Sequence, residues 1–230
     1  RFGRRVAPVV SALGIFSGSG VLATGARAAC ATSANNATLV TMGEAMLRLA
    51  PIDDGHNVVK ASRHMPQPFL RSIGGDELNV AVALSLLEVP TRWVSVVPTG
   101  PMGDVLTDSC EHHGVEFSGS RVDGDIGTFT VLPEEQKVHY QRRNSVFARH
   151  EPATLDWPAL LTAPNPWLHM TGITPLISAQ SRASWDAAIE HAARMQIPIS
   201  LDLNHRKQLG TLEELWAMVQ PHSHKLELLI

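Results

Sequence analysis

From residue 37 onward the hydrophobic pattern keeps changing period. Leu39-Val40-Thr41-Met42 is a continuous apolar run closed by Gly43, which predicts a short strand buried on both faces. Residues 57–73 hold short β-prone pieces broken by Pro66 and Pro68 and read as an irregular ribbon. Gly74-Gly75 then opens a helix over 76–88, with Leu78, Val80, Val82, Ala83, Leu86 and Leu87 as its apolar positions. A second buried strand is predicted over 93–97, and a helix over 102–113 stopped by Gly114. Three strand candidates follow near 117–121, 127–132 and 136–140. Alternation then resumes: helix 155–161, strand 167–171, helix 178–195, strand 197–202, helix 212–219, strand 226–230. Thr211 and Glu214 form a capping box at the start of the helix from 212.

Strands alternating with helices predict a parallel sheet with helices on both faces. The short strands of 57–73 and 117–140 break that rhythm and fit a small separate β layer inserted into the α/β body. Composition supports a packed core, with 44% hydrophobic and 18% charged residues in 230. Nineteen Lys and Arg against 22 Asp and Glu give a net charge of −3, which disfavours a general nucleic-acid binder. Cys30 and Cys110 are too few and too far apart for a disulfide framework or a zinc site, and Cys110 reads as a small buried hydrophobe. Adjacent His112 and His113 diverge on a helix, and His222 and His224 have no third partner nearby, so the 11 histidines do not build a metal site.

No acid precedes Glu44, whereas Arg1, Arg4, Arg5 and Arg27 do, and 6–30 is rich in Ala, Gly, Ser and Val. Residues 1–37 thus read as a disordered leader, with the profile of a plastid or mitochondrial transit peptide or of a secretory signal, or else as untranslated upstream sequence. Without targeting, the compartment is cytoplasmic. Its apolar run is too short and too interrupted to span a membrane. The chain begins with Arg and stops on the apolar run 226–230, so a fragment of a longer protein is expected, with apolar surface exposed at the sheet edge near Ile230.

Ligands of open α/β sheets bind beyond the carboxyl ends of strands, and three features fall there. Gly74-Gly75-Asp76-Glu77-Leu78-Asn79 joins a glycine turn to a helix start, where bare backbone N–H groups favour hydroxyl or anionic oxygens and Asn79 lies one turn in. An ordinary glycine turn explains the same residues. Tyr140 and Arg142 share a face by period two and could jointly hold a carboxylate, unless they merely form a solvated edge. Asp202, Asn204 and Arg206 follow the apolar run 197–201, although ordinary loop chemistry also accounts for them. No Ser-His-Asp arrangement, dinucleotide fingerprint or Walker-type loop is present.

Taken in order, Met42-Gly43-Glu44-Ala45-Met46, 73–81, 138–145, 168–174 and 201–206 resemble the PfkB (ribokinase-like) carbohydrate kinases, above all the 2-keto-3-deoxygluconate kinases. The resemblance implies a ribokinase-like three-layer α/β/α body over 38–230 with an inserted small β-sheet lid, formed by segments of about 57–73 and 117–140. It implies ATP- and Mg2+-dependent phosphorylation of a sugar or sugar-acid hydroxyl, with 2-keto-3-deoxygluconate as the acceptor and a homodimer through the lid. No nucleic acid or membrane partner is expected. Gly75 and Asn79 would hold sugar hydroxyls, Tyr140 and Arg142 would approach the acid from the lid, and Arg206 would pair with its carboxylate.

Several positions depart from the family pattern. Phe129 stands where acid-specific kinases carry a lid tyrosine, Glu88 replaces a glycine after the first helix, and Pro98-Thr99-Gly100 replaces a Gly-Asp turn. The Gly-Ala-Gly-Asp segment that supplies the family's base and anion hole is absent, as is the Asn-x-x-Glu metal motif. The chain therefore carries the sugar-binding half and no catalytic residue of its own, and by itself is expected to be inactive. Two alternatives remain: a non-catalytic relative that binds or dimerises through the lid, and a fructokinase- or ribokinase-type enzyme for a neutral sugar.

Overall fold

A computed structural model describes residues 37–51, 69–132 and 137–230. The leader over 1–36 and the ribbon over 57–68 lie outside the described residues.

Six strands form one parallel sheet in the order β10-β9-β8-β1-β4-β5. They are β1 (Thr38–Met42), β4 (Thr91–Pro98), β5 (Glu116–Val122), β8 (Pro166–Thr171), β9 (Ile199–Asp202) and β10 (Leu228–Leu229). All five residues of β1 are buried, as both-face coverage of a parallel sheet requires. One face packs Val40, Met42, Val94, Leu168, Met170, Ile199 and Leu201 against helix α6 (Ala179–Arg194), whose Trp185, Ala188, Ile189 and Ala192 are fully buried. The other face packs Trp93 and Val97 against α1 (Asp76–Ser85) and α2 (Pro101–His112) through Leu78, Ala81, Leu106 and Cys110. Burial pushes the Cys110 thiol up to about 12, in keeping with a packing role. Capping boxes start α6 at Ser178 with Ser181, and α7 (Leu212–Val219) at Thr211 with Glu214.

Four more strands form a second, mixed sheet in the order β3-β2-β6-β7. These are β2 (Met46–Pro51), β3 (Phe69–Gly74), β6 (Thr128–Leu132) and β7 (Lys137–Gln141). This lid corrects the sequence-based division in two places. The expected lid strand near 117–121 is β5, which pairs with β4 along seven residues at the edge of the main sheet. It is the second strand of a β4–α2–β5 crossover, and Phe117 packs on Trp93 with ring centroids 5.7 Å apart. Its place in the lid is taken by β2, which follows β1 after three residues and reads poorly as a strand.

Helix α1 ends at Ser85, short of the expected 88, and the chain turns with Glu88 at φ 63°. This is the left-handed conformation that favours glycine, at the position where the family pattern has one. Glu88→Gly is expected to stabilise the fold by roughly 0.5–1 kcal/mol, the relief of the Cβ clash exceeding the added freedom of the unfolded chain. Thermal denaturation of the two proteins checks this, and an unchanged or lowered Tm counts against it. Short helices α3 (Val146–Arg149), α4 (Trp157–Leu160) and α5 (Thr174–Ile177) complete the body. Leu228, Leu229 and Ile230 are exposed at the β10 edge, as the terminal apolar run predicts.

Candidate functional site

Sheet order places the switch point of the parallel sheet at β1, flanked by β4 on one side and β8 on the other. The crevice beyond its carboxyl end is where open α/β sheets bind ligands, and β1 leads there into Gly43-Glu44. Four segments cross between body and lid at this place: 43–45, 74–75, 123–127 and 142–145. Glu44 touches or bonds all the others. A Cβ on Gly75 would sit 2.5 Å from the Glu44 carbonyl oxygen, and one on Gly127 would sit 2.6 Å from its Oε1, so both positions need glycine for closeness. Arg142 donates from Nε and Nη2 to Glu44 Oε2, each at 2.6 Å, and Ser145 donates its hydroxyl to Oε1.

Glu44 is 4% exposed. Burial pushes its carboxyl above the usual range, while the Arg142 charge and the Ser145 and Arg142 hydrogen bonds pull it back. Ser145 Oγ already accepts from the Ala148 N–H, so its own proton points to Glu44. Donors thus face both carboxylate oxygens, the arrangement of an ionised group.

Against this junction lies a cavity of about 770 Å3, within the range of small-molecule sites. Its lid wall is Thr128, Tyr140, Arg142 and Arg143, and its body wall includes Asp125, Met102 at the start of α2, Leu176 and Ile177 of α5, and Gln208. Hydroxyl, guanidinium, amide and carboxylate groups around one opening suit a polyhydroxylated, oxygen-rich ligand.

The five residues singled out from sequence fall into two groups. Tyr140 and Arg142 both line the cavity. Tyr140 stacks on its cross-strand partner Phe129 at 5.6 Å, and Phe129 lies over Gly74, where a Cβ would be 2.8 Å from its ring. Arg142 departs from the expected free fork, because Glu44 takes its Nε–Nη2 edge. Gly75, Asn79 and Arg206 form the second group, which gathers at the start of α1 and is not part of the cavity lining. Gly75 caps α1 in extended backbone, and Asn79 is exposed, with its backbone N–H donating to the Gly75 carbonyl at 2.8 Å. Arg206 reaches the same helix start, where Nη2 lies 3.5 Å from Asp76 Oδ1. Asp202 Oδ1 accepts from the Asn204 N–H at 2.9 Å and Asn204 takes φ 41°, so the turn before Arg206 is ordered as its residues suggest. Gln208, two residues after Arg206, lines the cavity.

Two acids at the junction escaped the sequence reading. Glu44 is the first acid in the chain and sits between apolar stretches, a signal that was available. Glu77 is fully enclosed in the first turn of α1, accepting from Thr171 Oγ1 at 2.7 Å and Thr174 Oγ1 at 2.9 Å. Burial raises its carboxyl from 4.5 to about 7, against the two threonine bonds and its own backbone bond, with a smaller push from Asp76. Among the described residues no three His, Cys, Asp or Glu side chains cluster as metal ligands. The Asn-x-x-Glu motif is likewise not in this sequence, so the described residues do not by themselves make a magnesium site.

Known proteins resemble this chain over most of its length. The model of the pfkB family carbohydrate kinases matches residues 36–226. A 2-dehydro-3-deoxygalactonokinase of Haloferax volcanii is 31% identical over 183 residues, 75% of this chain and 54% of that protein. A 2-dehydro-3-deoxygluconokinase of Bacillus subtilis is 27% identical over 176 residues, 74% of this chain and 52% of that protein. The chain therefore spans about half the length of the curated relatives it matches. The crystal structure of a 2-dehydro-3-deoxygluconokinase from Thermotoga maritima superposes with a TM-score of 0.74 at 28% identity, covering 84% of this chain and 58% of that one. In that structure's fold class, a parallel sheet carries a smaller mixed sheet, as it does here. By the extent of the family match and the shared body-and-lid architecture, this chain belongs to the pfkB family of carbohydrate kinases and has the ribokinase-like α/β fold.

Proposed function

We propose that this chain is the sugar-binding half of a kinase that phosphorylates a hydroxyl of a 2-keto-3-deoxy sugar acid, with 2-keto-3-deoxygluconate as the leading acceptor. PfkB kinases use ATP, and a phosphotransferase reaction is what the family performs. The observation that carries the acid is Arg206. Its side chain is 41% exposed and its guanidinium only loosely engaged, 3.5 Å from Asp76, on a turn that runs into the cavity wall. A planar fork held this way suits a carboxylate better than a hydroxyl. The relatives named above act on 2-dehydro-3-deoxy sugar acids by their names, which supports the same class.

In this reading the cavity orients the sugar rather than performing chemistry. Tyr140 and Arg142 meet the sugar from the lid, Arg206 faces its carboxylate, and Gly75, whose missing side chain lets Glu44 and Ala45 close in, would hold a hydroxyl through its backbone at the start of α1. Asn79, exposed one turn further on, would complete the hydroxyl contacts. Phe69 and Leu70 lie exposed on β3, the edge strand of the lid, and offer an apolar strip for the lid of a second copy. A kinase for a neutral sugar is the second reading, favoured by the pairing of Arg142 with Glu44, which removes one of the two free cations expected of an acid site.

Arg206→Lys separates the two. Lysine keeps the charge but loses the two-pronged contact, so affinity for 2-keto-3-deoxygluconate should fall about 10- to 150-fold, from a charge-assisted bond worth roughly 1.5–3 kcal/mol. A neutral ketose of the same length has no carboxylate to lose and should bind both proteins alike. Calorimetric titration of wild type and variant with each ligand gives the answer. Equal losses for the two ligands, or no loss for the acid, would favour the neutral sugar.

A further inference from the structure

Resting on the sugar-acid reading, the geometry points to Glu44 as the residue that sets how the lid reads charge. We propose that Glu44 neutralises Arg142, so that this residue presents the ligand with a hydrogen-bond donor of no net charge and leaves carboxylate recognition to Arg206 and to Arg143, the exposed neighbour of Arg142. Glu44 thereby tunes the preference between acid and neutral sugars while acting through Arg142, as a positioning residue.

Three observations carry this. First, Arg142 lines the cavity, yet its Nε–Nη2 edge is spent on Glu44 Oε2 at 2.6 Å. No bond takes Nη1 among the described residues, so one end of the fork is left for an oxygen of the ligand. Second, the carboxylate is held from all sides. Ser145 donates to Oε1, and Gly127 and Gly75 close over the side chain and backbone of Glu44. A carboxylate fixed in this way cannot swing aside when a ligand enters. Third, Arg142 and Glu44 are 11% and 2% exposed at their side chains, so solvent screens their fields weakly. A ligand carboxylate at the cavity wall would feel the attraction of Arg142 and the repulsion of Glu44 directly behind it. The two nearly cancel. A ligand hydroxyl or carbonyl oxygen needs only the N–H and is indifferent to the net charge.

The sign of this effect separates it from damage to the fold. Glu44→Gln keeps the volume and an acceptor for Arg142 but deletes the negative charge. At the dielectric typical of such sites, losing a repulsion several ångströms from the ligand should tighten acid binding about tenfold. A loosened hinge would weaken both ligands and could not produce this gain. The double variant Glu44→Gln/Arg142→Gln replaces the ion pair with two amides, leaves no unpaired buried charge, and conserves the net charge of the lid. It should keep the wild-type ratio of acid to neutral affinity within about threefold.

The experiment is a calorimetric titration of the 230-residue chain and both variants with 2-keto-3-deoxygluconate and with 3-deoxyfructose, in which CH2OH stands in place of the carboxylate. The proposal expects a tenfold gain for the acid alone in Glu44→Gln, and a wild-type ratio in the double variant. Unchanged or weaker acid binding in Glu44→Gln, with 3-deoxyfructose affinity retained, overturns it. If Glu44→Gln does not fold, a tenfold change of the ratio in the double variant overturns it instead. Should wild type bind only 3-deoxyfructose, the sugar-acid reading fails, while acid binding that emerges in Glu44→Gln upholds the charge assignment. Binding of neither ligand by wild type overturns both.

Discussion

Given ATP, magnesium and 2-keto-3-deoxygluconate, the 230-residue chain is expected to show no turnover above background, although it should bind the sugar acid. Binding and chemistry separate here because they draw on different residues. The cavity, the lid and the turn at Arg206 are all within the chain. The family's Gly-Ala-Gly-Asp segment is not in the sequence, and with it go the base for the attacking hydroxyl and the amides of the anion hole. Phosphoryl transfer depends almost wholly on positioning and on charge stabilisation, so neither can be spared. Each typically contributes a hundredfold or more, and losing both should leave the rate at least about ten-thousand-fold below that of a full-length relative. A coupled assay for ADP, run beside a binding titration on the same sample, tests both halves. Turnover within a hundredfold of a full-length sugar-acid kinase would refute this division of labour.

How much of this was legible in the sequence follows from burial. Strands β1, β4, β8 and β9 are largely buried and rich in apolar residues, so their limits can be read closely from the sequence. Helices α6 and α7 carry their boundaries in their caps and amphipathic spacing. The lid strands and β5 are half-exposed, and their mixed composition does not say which sheet they join. In the sequence β5 goes with the lid because it opens the series of short strands over 117–140 that breaks the strand–helix alternation. What assigns it to the main sheet is topology, the need of β4 and α2 for a parallel partner.

Site residues follow the same logic. Tyr140, Arg142 and Arg206 could be picked out because they are polar groups at strand ends. Their partners could not. The pairing of Arg142 with Glu44 joins residues 98 apart in the chain, and no local pattern encodes it. A buried carboxylate between a guanidinium and a hydroxyl is a product of the converging crossovers, and only the fold reveals that Arg142 reaches the cavity already engaged. Glu77 left a fainter trace. It shares with Ala81 the i, i+4 spacing of the buried face of α1, while its neighbour Asp76 turns outward to Arg206.

Glu77 also governs a large expected response of stability to pH. Its carboxyl titrates at about 7 in the folded protein against 4.5 for the unperturbed group, chiefly through burial. Between these values the folded chain keeps a proton that the unfolded chain has released. The sign follows directly: this contribution is fully present below about 4.5, declines as pH rises, and is gone above about 7. The difference amounts to roughly 3 kcal/mol, more than a hundredfold in the folding equilibrium. Glu77→Gln removes the titration with little change of shape. Its amide oxygen can accept both the Thr171 and Thr174 hydroxyls, as Oε1 does now. The variant should match wild type at pH 4.5 and exceed its stability by about 3 kcal/mol at pH 8, where wild type must bury a charge. Comparing variant with wild type at each pH cancels other groups, including Glu44, raised by burial, and His150 and His169, which burial pushes down and which destabilise the fold on acidification. Urea denaturation across this range measures the gap. A gap that stays constant with pH would mean that Glu77 is ionised throughout, held as a carboxylate by its threonines and by the start of α1, and that its burial costs the fold nothing that pH can reveal.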